Sequence, residues 1–134
     1  MQNFDAAEEW LDHWAAQAGA QAERATQLAR NVSSLNATAQ SADMMLSVTV
    51  GSSGQLVDLS IDDRLALRGS ALAQQIMALT RTAQAQLSKK VAEQVQGTVG
   101  IDTETGRAVV DAYHRRYPEP APEARDGSTD WHAR

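Results

Sequence analysis

Cysteine is absent from the 134 residues, which excludes disulfides, thiolate zinc sites, iron–sulfur clusters and thiol catalysis. Aromatic side chains make up only 4% of the chain. They are Phe4, Trp10, Trp14, Tyr113, Tyr117 and Trp131, and none lies between Ala15 and Ala112. The interior of that long middle must come from Leu, Val, Ile, Met and Ala, which suits packed helices and a thin sheet and argues against an aromatic-centred β-sandwich. Proline is confined to Pro118, Pro120 and Pro122, where regular structure is expected to end. No apolar run approaches the ~20 residues that cross a bilayer, and the opening Met-Gln-Asn-Phe-Asp is acidic where a secretory signal would be basic. A single-domain, cytoplasmic protein without membrane insertion is the expectation.

Basic charge is also scarce, 12 Lys and Arg against 17 Asp and Glu, for a net charge of −5. Its distribution is uneven. Residues 67–96 carry Arg68, Arg81, Lys89 and Lys90 against Glu93 alone, whereas the flanking segments are acidic. A polyanion would therefore have to be met locally, with little long-range attraction.

Residues 5–32 read as a helix. Asp5 with Glu8 three residues later forms a capping-box-like start, and Glu9 and Asp12 add negative charge where the helix dipole favours it. Leu11, Trp14, Ala18, Ala25, Leu28, Val32 and Leu35 repeat at threes and fours, with Gln21 in the one polar slot. From Ser33 the pattern changes to alternation: weakly over Leu35 to Gln40, clearly over Leu46 to Val50, and again over Val57 to Ile61 after the turn residues Gly51-Ser52-Ser53-Gly54. The three strands make an antiparallel meander whose apolar residues share one face. After a turn-rich connector, Ser70 is the expected N-cap of a second long helix running to about Gln96, with Leu72, Ile76, Leu79, Ala83 and Leu87 on its stripe. Gly97 to Gly100 break that helix, and Glu104 to Arg116 read as a short third one with Val109, Val110, Tyr113 and Tyr117 on its apolar side. The fold class is α+β. Two helices of roughly 40 Å outreach strands of five to eight residues, so the exposed stripes call for a second copy. The helix or dimer seam is placed at Leu11, Trp14, Leu28, Leu72, Ile76, Leu79 and Leu87.

Catalytic apparatus is not evident. His13, His114 and His132 fall on three separate segments with no second ligand at metal spacing, Asp62 and Asp63 are adjacent and point apart, and Gly51 to Gly54 lack the lysine of a phosphate loop. The expectation is a non-enzyme with no metal and no cofactor. Helical periodicity turns Arg81 and Lys89 toward solvent and brings Lys90 near the seam, where it either snorkels or marks helices splaying apart. Tyr113-His114-Arg115-Arg116-Tyr117 is a second basic cluster, either complementing the end of a helix or forming a contact patch.

The order long helix, meander, long helix, with the string Leu-Ser-Val-Thr-Val-Gly-Ser-Ser-Gly-Gln-Leu-Val-Asp-Leu-Ser-Ile-Asp from Leu46 to Asp62, resembles the YbaB/EbfC family of nucleoid-associated proteins. The stretch from Val109 to Pro120 looks like the extensions of actinobacterial members, some of which are associated with type VII secretion loci. The resemblance implies a homodimer with helices projecting like tweezer arms, located in the nucleoid and binding duplex DNA with low sequence preference through phosphate contacts. Carried onto this sequence, it points to Arg64, Arg68, Arg81, Lys89 and Lys90, with Arg115 and Arg116 as a secondary contact. Residues 1–96 would form the dimerising, DNA-binding domain, 97–117 an extension and 118–134 a disordered acidic tail. The competing account is a protein-interaction adaptor or accessory factor, one of a secretion system among the options, with little DNA binding.

Overall fold

A computed structural model describes residues 2–120. The elements run α1 (Gln2–Ser33), β1 (Ala37–Gln40), β2 (Leu46–Val50), β3 (Leu56–Ile61), α2 (Gly69–Gly97) and α3 (Glu104–Arg116). The strands form one antiparallel sheet in the order β1-β2-β3. Register follows the alternation, with Ala39 opposite Val48, Leu46 opposite Ile61 and Val48 opposite Leu59, and a bulge at Thr49 and Val50 shifts the pairing next to the Gly51–Gly54 turn.

Two boundaries differ from the sequence expectation. The helix α1 begins at Gln2, so Asp5 lies inside its opening turns rather than at a cap. Arg68, not Ser70, is the N-cap of α2, and its side chain makes no capping bond. The tail expected over 118–134 lies outside the described residues from 121 onward.

The core has two parts, both seated on α2. In one, Leu79, Ala83 and Leu87 pack on Ala37, Ala39, Leu46, Val48 and Val50. In the other, Val91 and Val95 meet Leu28 of α1, with Val32, Val109, Val110 and Tyr113 around them. The predicted α2 stripe is therefore largely covered within the protomer: Leu79 and Leu87 are buried, and Leu72 and Ile76 are half-buried against the same cluster. Leu28 is likewise buried at home. Leu79, Leu87 and Leu28 thus pack within the protomer, whereas Leu72 and Ile76 keep part of their surface in water.

Two regions stay uncovered. In α1 every side chain from Ala6 to Gly19 is exposed, including Trp10 (64%), Leu11 (53%) and Trp14 (59%), so its first half projects from the body as an arm. The second region is β3, where Leu56, Val57, Leu59 and Ile61 are all exposed because α2 lies across β1 and β2 instead.

Candidate functional site

The helix α3 docks on the C-terminal half of α2, and this positions the second basic cluster. Thr103 caps α3 by accepting the Gly106 amide at 3.0 Å, and its own hydroxyl donates to the Gly100 carbonyl at 2.8 Å. At the other end, the hydroxyl of buried Ser88 on α2 reaches the carbonyls of both Tyr113 and Tyr117, each at 3.1 Å. The two tyrosine rings then reach the β2–β3 turn. Tyr113 donates its hydroxyl to the Ser52 carbonyl at 2.8 Å, Tyr117 donates to Ser53, and Gln84 Nε2 donates to the Gly54 carbonyl at 2.8 Å. Gly54 is in the left-handed region at φ +79°, and a side chain there would run into the Tyr117 ring. One buried serine and two tyrosines thus tie α2, α3 and the hairpin turn together. Burial pushes the Tyr113 hydroxyl above its usual range, with the neighbouring Tyr117 adding to the effect.

The fold brings α2 cations and the end of α3 to one surface. Arg81 is exposed on α2, and with Ala78 and Thr82 it faces Arg116, Tyr117 and Pro118 across a groove. Lys89 is exposed next to Ser88 and pairs with Glu119 at 2.7 Å. Lys89 hydrogen-bonding and charge, with help from His114, hold the Glu119 carboxyl below the usual carboxylate range. Lys90 snorkels and donates from Nζ to the Asn36 carbonyl at 2.8 Å, so its charge meets a neutral partner. Arg115 is exposed, and its Nε is 3.4 Å from the Asp111 carbonyl of its own helix.

The connector cations are placed elsewhere. Arg64 turns back on Asp62 in a two-pronged pair, Nε to Oδ1 at 3.0 Å and Nη2 to Oδ2 at 2.9 Å, and its backbone amide also binds Oδ1. That pairing holds the Asp62 carboxyl low and largely compensates the Arg64 charge. Arg68 is exposed at the start of α2. Of the seven cations expected to contact DNA, Arg81, Lys89 and Arg116 thus belong to the surface where α2 meets α3, Lys90 follows Lys89 on α2, and Arg115 is exposed on α3 outside the groove. Arg64 and Arg68 flank the opposite end of that helix. Sequence reasoning missed Glu119 and Ser88, although Glu119 stands between two prolines that stiffen its presentation.

No group of three or more potential metal ligands occurs among the described residues, and no described helix is long and apolar enough to cross a membrane. The YbaB/EbfC DNA-binding family model matches residues 8–101. No curated protein matches the chain.

Proposed function

The chain belongs to the YbaB/EbfC DNA-binding family, and from that premise we propose that it is a non-enzymatic, nucleoid-associated protein that binds duplex DNA as a homodimer. The observation that carries the proposal is the family match over residues 8–101, which spans most of α1, the whole sheet and α2. Binding rests on phosphate contacts from the exposed cations of α2, which position a duplex without reading its base edges. Arg81 and Lys90 carry most of it, and Lys89 less, being paired with Glu119. Arg68 contributes from the far end, and Arg64 less, being already engaged with Asp62.

Exposed β3 supports the dimer. An edge strand of six residues with four apolar side chains in water is the kind of surface that a second copy covers. A two-fold partner would also repeat the α2 cations, and several phosphate contacts acting jointly are what give useful affinity.

A gel-shift titration at two salt concentrations, with sedimentation of the same sample, tests the reading. A dimer whose affinity falls steeply with salt is expected, and Lys89→Glu with Lys90→Glu should weaken all duplex sequences alike, on the order of tenfold or more. Absence of duplex binding at low salt removes the proposal. In that event the adaptor reading gains ground, and the observation that favours it is the exposed Trp10, Leu11 and Trp14 on an acidic arm.

A further inference from the structure

We propose that the groove between α2 and the extension is a composite phosphate-binding site, in which Arg81 and Arg116 together hold one phosphodiester of the duplex backbone. This rests on the DNA-binding reading and names where the extension enters it. The groove measures about 530 Å³, with Ala78, Arg81 and Thr82 on one wall and Arg116, Tyr117 and Pro118 on the other. Both arginines are exposed, and neither has an ion-pair partner among the described residues. Two guanidinium groups on facing walls repel each other. An anion between them relieves that repulsion, and the non-bridging oxygens of a phosphate suit the planar fork of arginine.

Glu119, the one carboxylate lining the groove, is committed elsewhere, with Oε1 2.7 Å from Lys89 Nζ. The second wall is also held in place. The Tyr117 amide donates to the Tyr113 carbonyl at 2.8 Å, its hydroxyl to Ser53, and its own carbonyl accepts from Ser88 at 3.1 Å. A wall fixed this way loses less freedom on binding than a loose surface side chain does. Every residue of that wall lies beyond the stretch matched to the family, so the contact belongs to this chain's extension and not to the matched domain.

The test is fluorescence anisotropy of the full chain with a labelled duplex of arbitrary sequence, at two salt concentrations. Arg81→Gln and Arg116→Gln should each weaken binding about three- to tenfold at low salt and make its salt dependence shallower, since each removes a contact that releases counterions. The double variant should lose less than the product of the two, because both side chains hold the same phosphate. Arg116→Lys, which keeps the charge and the end of α3 but not the fork, should recover part of the loss. Arg30→Gln, an equal charge change on α1 outside the groove, should alter binding less than about twofold. If Arg116→Gln behaves like Arg30→Gln, or leaves the salt slope unchanged, the groove is overturned while DNA binding stands. If the unaltered chain does not bind the duplex at low salt, the DNA-binding reading falls and takes the groove with it.

Discussion

Replacing Gly106 with alanine tests whether α3 is seated as tightly as its contacts indicate. In most helices this exchange is favourable by about 0.5–1 kcal/mol, since alanine loses less backbone freedom on folding. Gly106 is buried in the first turn of α3, where a Cβ would overlap the Gly100 carbonyl oxygen, lie 2.9 Å from Val95 Cγ1 and 3.0 Å from Thr103 Oγ1. The carbonyl has little room to retreat. It accepts from the Thr103 hydroxyl at 2.8 Å, and Gly100 itself, at φ +91°, donates to the Val95 carbonyl at 2.8 Å. Overpacking of this kind costs about 1–3 kcal/mol, so the exchange should destabilise and lower the melting temperature by a few degrees. Gly19→Ala provides the opposite sign in the same chain. Nothing lies within 4 Å of a Cβ built there, and it should stabilise by up to about 1 kcal/mol. Thermal unfolding followed by circular dichroism at one fixed protein concentration compares them, because association makes the midpoint depend on concentration. If Gly106→Ala melts at or above the unaltered chain, alongside Gly19→Ala, then α3 is not packed against α2 in this way and the walls of the groove are not fixed.

Ser88→Ala removes the hydroxyl that binds Tyr113 and Tyr117. The Tyr113 carbonyl keeps the Tyr117 amide at 2.8 Å, so one carbonyl is left without its partner and a loss of about 1 kcal/mol is expected. Hydrogen exchange should show faster opening over residues 113–117 with the sheet unaffected, and unchanged protection there counts against the clasp. Acid should weaken the fold in a predictable direction. Ser41 and the Met45 amide hold Asp43 low, Arg64 does the same for Asp62, and Lys89 for Glu119. Carboxyl groups held low contribute stability that is present above the ordinary carboxylate range and is lost as pH falls through their lowered values. The melting temperature should therefore be flat from neutrality to about pH 5 and decline below about pH 4. A rise on acidification through that window contradicts these pairings.

Much of the fold was legible because local periodicity and tertiary burial agree. Leu46, Val48 and Val50 alternate in the sequence and are buried in the sheet, and Glu104 to Arg116 open and close where the helix does. The start of α2 was not legible, since Ser70 has the chemistry of a cap while the chain turns at Arg68 and Gly69, the latter at φ +56°. The α2 stripe legible in the sequence runs from Leu72 to Leu87, and the buried line drifts round the helix beyond it. Leu79 to Leu87 face the sheet, whereas Ser88, Val91 and Val95 face α1 and α3. That drift gives α3 its seat. For the candidate site, the two basic clusters were visible one at a time. Their meeting was not, because it depends on a serine hydroxyl and a hairpin turn far away in sequence.

The acidity of the chain bears on how such a surface works under the DNA-binding reading. A net charge of −5, doubled in a dimer, gives a duplex no long-range attraction, and what repulsion it exerts is largely screened beyond about 8 Å at physiological salt. Attraction begins only at close range, where Arg81, Lys89 and Arg116 on the α2–α3 surface outnumber Glu119. Association is then unaided by steering, and the acidic α1 arm disfavours approach from its own side. Under that reading binding depends on correct placement of a few cations. Such a protein gains orientation from its negative surface at the expense of strength, and the extension that ties down Tyr117 places one of those few cations, Arg116, where a single lost contact is felt.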